Sequence, residues 1–148
     1  MKYLKILLYC VLLLITYGLC RVVISRNKNF NVECAVEHLN RNCKPHSTKK
    51  CALYVYYALE AGGKKSVILP TWGYKYLLPI EGFKKVDLHN YTPQAGDIVV
   101  FPKVKHHIYG HVAMYNGNNW VSDFNQKNFI VAKEYKKSKY SIFRFYNK

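Results

Sequence analysis

The chain has 148 residues, half of them hydrophobic and 16% aromatic, which excludes a disordered polymer and allows one compact domain once an N-terminal segment is set aside. Lysine and arginine outnumber aspartate and glutamate by 23 to 8, an excess that favours anionic partners: nucleic acid, acidic lipid or an acidic wall polymer. The basic residues are scattered as pairs (Lys49-Lys50, Lys64-Lys65, Lys84-Lys85, Lys136-Lys137) without an RNP-like motif, zinc-finger spacing or basic zipper, so nucleic acid is not the expected partner.

Residues 1–26 read as a signal anchor or signal peptide. Lys2 and Lys5 give a positive start, and Ile6 to Cys20 runs 15 residues without a charge, short of the about 20 that a spanning helix needs. No small-x-small cleavage site follows, which favours an uncleaved anchor, and Val22-Val23-Ile24 lengthen the apolar stretch if Arg21 snorkels. Without Lys2, Lys5, Arg21 and Arg26 the remainder keeps 19 basic residues against 8 acidic ones, a net +11.

Residues 27–31 are a polar linker, and 32–148 form the folded domain. Val32, Ala35, Val36 and Leu39 recur at helical spacing and predict a helix from Val32 to Asn42, broken by Lys44-Pro45. Ser47 or Thr48 is placed to cap a second helix running to Ala61, with Ala52, Val55, Tyr56 and Leu59 as its buried face and Gly62-Gly63 as its stop. Residues 67–87 are irregular and aromatic, with a helical turn around Tyr74 to Leu78. A tight turn at Pro93 to Asp97 leads into a buried strand, Ile98 to Phe101, ended by Pro102. A β-hairpin follows from Gly110 to Phe124, turning at Asn116-Gly117-Asn118, and a last strand covers Tyr140 to Phe145. Helices first and an antiparallel sheet second is an α+β order.

Cys51 falls in the first turn of the second helix, where free N–H groups, the helix dipole and neighbouring Lys49 and Lys50 favour a thiolate. A free cysteine is more commonly a small buried hydrophobe, so position alone does not make it a nucleophile. Of six histidines, His111 alone has a glycine before it, a strand after it and an acid 12 residues on. That acid, Asp123, lies on the return strand of the hairpin, where cross-strand neighbours sit about 5 Å apart, so it can orient His111; Asn125 is its rival. The other cysteines offer no framework. Cys34 and Cys43 would stand about 13 Å apart along one helix, too far for a disulfide. No C-x-x-C pair is present, so no metal or other cofactor is expected.

Three blocks carry a resemblance. Lys50 to Gly63, Pro93 to Phe101, and Gly110 to Gly117, in that order, resemble the CHAP amidohydrolase/peptidase pattern, and the chain is similar also to NlpC-type cell-wall peptidases and to amidase toxins delivered by type VI secretion. The resemblance implies a small papain-like fold with N-terminal helices packed on an antiparallel sheet, and cysteine-dependent cleavage of amide bonds in peptidoglycan. By position, Cys51 matches the nucleophile, His111 the base and Asp123 the third residue, whose type varies among such enzymes; Asp97 matches a structural block. It also implies a place in the cell envelope, either anchored in the inner membrane facing the wall or secreted, and a cognate inhibitor protein if the chain is a toxin. Two alternatives stand beside this reading: an inert, membrane-anchored wall-binding domain, and a protein transamidase or deamidase using the same triad.

Overall fold

The computed structural model describes residues 6, 8–15 and 29–147. Residues 8–15 are helical and exposed. Among the described residues no helix is long and apolar enough to cross a membrane, and the remainder of the expected anchor lies outside them.

Helix α1, Val32–Asn42, begins where Asn31 turns its side chain back to accept the Cys34 N–H at 2.9 Å, an N-cap that relieves one of the unpaired first-turn donors. Its apolar stripe buries Ala35 and Leu39 completely. Cys34 and Cys43, at its two ends, are both free thiols. Helix α2, Cys51–Ala61, packs along α1 and buries Val55, Ala58 and Leu59. The expected cap from Ser47 or Thr48 is not what holds its start: Lys50 is the N-cap residue and makes no side-chain cap bond, while both hydroxyls turn to a carboxylate brought from elsewhere in the fold. The irregular stretch resolves into a 3-10 turn, Thr71–Gly73, continuing as α3, Tyr74–Ile80.

The strands are β1 (Lys84–Lys85), β2 (Ile98–Phe101), β3 (His111–Tyr115), β4 (Trp120–Val121) and β5 (Ser141–Arg144). They form one sheet in the order β1-β5-β2-β3-β4 with every pair antiparallel. All four residues of β2 are buried because the sheet is covered on both faces. Ile98 and Val100 face the helices with Val112, Met114 and Phe143, whereas Val99 and Phe101 join Ala113, Trp120, Tyr135 and Ile142 on the far side. This is the expected α+β, papain-like arrangement, with the start of α2 set against the β3 side of the sheet.

The hairpin forms as predicted but is shorter on its return arm. Tyr115 pairs with Trp120 and Met114 with Val121, and there the ladder stops. The chain then folds back on itself: Ser122 N–H donates to the Phe124 carbonyl at 3.0 Å, and Val121 bridges to Asn125. Asp123 is therefore not a ladder partner of β3.

Candidate active site

His111 opens β3 opposite Phe101 of β2. Its predecessor Gly110 has φ +77°, and a Cβ there would lie 2.5 Å from the Phe101 carbonyl oxygen, so only glycine brings the chain this tightly into the strand. Cys51 is the first residue of α2. Although far apart in sequence, Cys51, His111 and Asp123 line one cleft of about 660 Å³, together with Thr71 and the loop residues His106 to Tyr109. The Cys51 Sγ lies 3.5 Å from the Thr71 Oγ1. At the start of α2 the N–H groups of Cys51 and Ala52 have no intrahelical acceptor, and both residues line the cleft.

His111 is 8% exposed. Burial pushes its pKa down to about 4, with the Asp123 carboxylate acting against that and His107 adding to it, so the ring is neutral at pH 7. Its Nε2 is engaged by the Gln126 carboxamide at 2.6 Å. As placed, the amide nitrogen faces the ring and the amide oxygen is buried without a hydrogen-bond partner.

Asp123 is wholly buried and occupied elsewhere. Its Oδ2 accepts from the Thr48 N–H, from the Thr48 hydroxyl at 3.0 Å, from the Ser47 hydroxyl at 3.2 Å and from the Lys50 N–H at 3.3 Å, while Oδ1 accepts from Ser122 at 3.1 Å. Burial works to raise its pKa, but the hydrogen bonds from Thr48, Lys50 and Ser122 prevail and hold it below the ordinary carboxylate value. None of its hydrogen bonds is to His111; it acts on the imidazole through its charge. Asn125, the rival orienter, lies in the fold-back beside it, and it is the next residue, Gln126, that reaches the ring.

Gln126 and Thr71 were not legible as site residues. Gln126 sits in the polar run Asn125 to Asn128, which reads as an ordinary loop, and only the fold-back after Val121, closed by Gln126 N–H to the Trp120 carbonyl at 2.9 Å, places it at His111. Among the described residues no group of His, Cys, Asp and Glu is placed to hold a metal ion.

Comparison with known proteins agrees with this architecture. No curated protein matches the chain. Among solved structures it is similar to a chain of the type VI native effector–immunity complex Tae3–Tai3 from Ralstonia pickettii, with a TM-score of 0.73 and 30% identity over 79% of this chain and 100% of that one. The selenomethionine form of the Tae3–Tai3 complex gives a TM-score of 0.68 and 31% identity over 74% of this chain and 98% of that one. Residues 42–128, which carry Cys51, His111 and Asp123 and make up more than half of the sequence, match the CHAP domain, and the chain belongs to that family.

Proposed function

We propose that the chain hydrolyses amide bonds in bacterial peptidoglycan, with residues 32–148 as the catalytic domain, Cys51 as nucleophile and His111 as general acid–base. The observation that carries the reading is the convergence of Cys51, at a helix start, and His111, at a strand start, on one cleft in a chain of the CHAP family. The similarity to type VI effector–immunity complexes supports a secreted protein acting on the wall of another cell and held in check, where it is made, by a cognate inhibitor.

The chemistry is thiol acyl transfer. The Cys51 Sγ–H gives its proton to neutral His111 as the sulfur attacks the carbonyl carbon, and the oxyanion is received by the N–H groups leading α2. The carbon–nitrogen bond breaks as His111 returns that proton to the leaving amine, which leaves a thioester. Water then attacks the thioester, His111 takes its proton, and the carbon–sulfur bond breaks to release the acid as His111 hands that proton to the sulfur and restores the thiol.

Tautomer decides whether His111 can do this. A ring whose Nε2 accepts from an amide N–H carries its proton on Nδ1 and has no free lone pair. With the Gln126 carboxamide turned over, its oxygen accepts from Nε2–H, the 2.6 Å separation suits N–H···O better than N–H···N, and Nδ1 is left as the base. The turn also removes the oxygen from a buried position that no donor reaches. On this reading Gln126 positions the imidazole, and Asp123 supports it by clamping the start of the cysteine helix and by charge.

Cys51→Ala and His111→Ala should each abolish release of muropeptides or new amines from purified peptidoglycan while leaving the circular dichroism spectrum unchanged. If both variants cleave as well as the parent, the chain is not a thiol hydrolase. A parent that binds peptidoglycan but releases nothing would favour the inert wall-binding alternative.

A further inference from the structure

A second cavity, of about 400 Å³, lies beside the catalytic cleft, lined by Trp72, Lys75, Lys103, Lys139, Ser141 and the end of β2. No carboxylate is among the described residues of its wall, which carries three lysines; the Lys75 Nζ rests 4.7 Å from the centre of the Tyr76 ring. The two tryptophans of the chain differ sharply: Trp120 is 6% exposed in the core, whereas Trp72 is 39% exposed. A single exposed aromatic is ordinary. This one is held rigidly, because Thr71 and Gly73 on either side of it are buried and the 3-10 turn that carries it is packed against Leu69. The Lys103 Nζ rests 4.6 Å from the centre of the indole, a contact that is weak at an exposed position and easily exchanged for another group on the ring face.

A flat apolar face in a cavity lined by three lysines selects a ligand that has both a stackable ring and negative charge; a bare anion would leave the indole unused. Its position narrows the class. Thr71, the residue before Trp72, touches the Cys51 Sγ, and Lys103 begins the loop whose His106 to Tyr109 segment lines the catalytic cleft. The two cavities therefore lie on either side of the same short wall, and one extended polymer can occupy both. We propose that the Trp72 cavity is a subsite for a carboxylate-bearing glycan strand, with a sugar ring on the indole and the free carboxylate of a sugar that carries no peptide among Lys75, Lys103 and Lys139, so that the peptide branch of a neighbouring sugar is presented to Cys51. The choice of a glycan over other ring-bearing polyanions rests on the wall-hydrolase reading above.

Binding can be read without catalysis. The full chain carrying Cys51→Ala is titrated with peptide-free glycan strands, which bear a carboxylate on alternate sugars and no scissile amide, while tryptophan fluorescence is followed; with Trp120 buried, the signal reports Trp72. A saturable change is expected, at least tenfold weaker with neutral chitin oligosaccharides and weakened by salt. In co-sedimentation with insoluble wall glycan, Trp72→Leu and the triple Lys75→Gln/Lys103→Gln/Lys139→Gln variant should lose at least tenfold in affinity, whereas Trp72→Tyr, which keeps a platform, should retain most of it. In the otherwise native chain, Trp72→Leu should cut turnover of whole sacculi at least tenfold and leave cleavage of a short soluble peptide amide unchanged. The subsite is refuted if glycan strands give no saturable change, if Trp72→Leu binds like its parent, or if a single-stranded oligonucleotide binds as tightly as the glycan. A parent that cleaves nothing would instead remove the hydrolase reading, and the binding experiment would still judge the subsite.

Discussion

The Asp123 carboxylate accepts the backbone N–H of Lys50 at 3.3 Å, so the acid expected to orient the histidine is fastened to the residue that caps the cysteine helix. Together with the bonds from Thr48 and Ser47, this makes Asp123 a clamp on the segment that leads into the helix. Hydrogen bonds to an ionised acceptor contribute about 1.5–3 kcal/mol each, and several are lost together on truncation. Asp123→Ala should therefore destabilise the domain by about 3–5 kcal/mol, measured by urea denaturation at pH 7. Asp123→Asn removes the charge that raises the His111 pKa, so the acid limb of kcat/KM should move down in pH. An unchanged limb would show that Asp123 acts on the helix alone.

His111 makes stability depend on pH in a defined window. Its folded pKa of about 4 lies below the ordinary 6.5, so above pH 6.5 the ring is neutral in both states and stability is full. As pH falls from 6.5 toward 4, the unfolded chain takes up a proton that the folded one refuses, and about 3 kcal/mol is lost across that interval. Chemical denaturation at pH 7 and at pH 4.5 should show the loss, and His111→Gln should flatten the dependence by close to one proton. The acid limb of kcat/KM should likewise fall near pH 4 and not near 6.5.

Much of this domain is legible in the amino-acid order because its signals are local. The Val32, Ala35, Val36 and Leu39 stripe, the uninterrupted Ile98 to Phe101 run and the Asn116-Gly117 turn each specify an element through periodicity or turn chemistry, and each element forms. β1 gives no such signal: Lys84 and Lys85 are exposed and become strand only by pairing with Arg144 and Phe143 of β5. The site divides the same way. Cys51 and His111 stand at element starts and can be found from sequence. What surrounds them is tertiary: the return strand ends at Val121, and a fold-back of four residues decides that Gln126 meets His111 and that Asp123 meets the α2 start. Spacing of 12 residues between a histidine and an acid could not reveal that bend.

Gln126 offers a direct check on the tautomer. Nitrogen NMR of the His111 ring in the native chain should show Nε2 protonated and Nδ1 bare. Gln126→Leu should erode that preference and lower kcat/KM about 10–100-fold, the range that a misplaced acid–base forfeits. Gln126→Glu keeps an acceptor and adds a charge, so it should retain the tautomer and shift the acid limb upward. A ring protonated on Nδ1 in the native chain would remove Gln126 from this role, and an active Gln126→Leu variant would do so as well.

Asp97 should matter for stability and not for chemistry. It is wholly buried at the head of β2, where its two oxygens take the Arg144 Nε and Nη2, each at 2.7 Å. The Tyr91 hydroxyl at 2.7 Å and the Gln94 N–H at 2.9 Å also donate to it, so the carboxylate ties the turn before β2 to the end of β5. The hydrogen bond to Asp97 is the main reason the Arg144 pKa is raised. Removing one partner of a buried pair strands the other charge, so Asp97→Ala should cost about 3–5 kcal/mol in denaturant unfolding. Arg144→Lys keeps the charge but not the two-pronged geometry and should fall between that variant and the parent. Because neither residue lines the cleft of Cys51 and His111, the fraction of Asp97→Ala that remains folded at low temperature should turn over at the parental rate. A folded Asp97→Ala protein without activity would place Asp97 in the catalytic machinery and require the wall of the site to be redrawn.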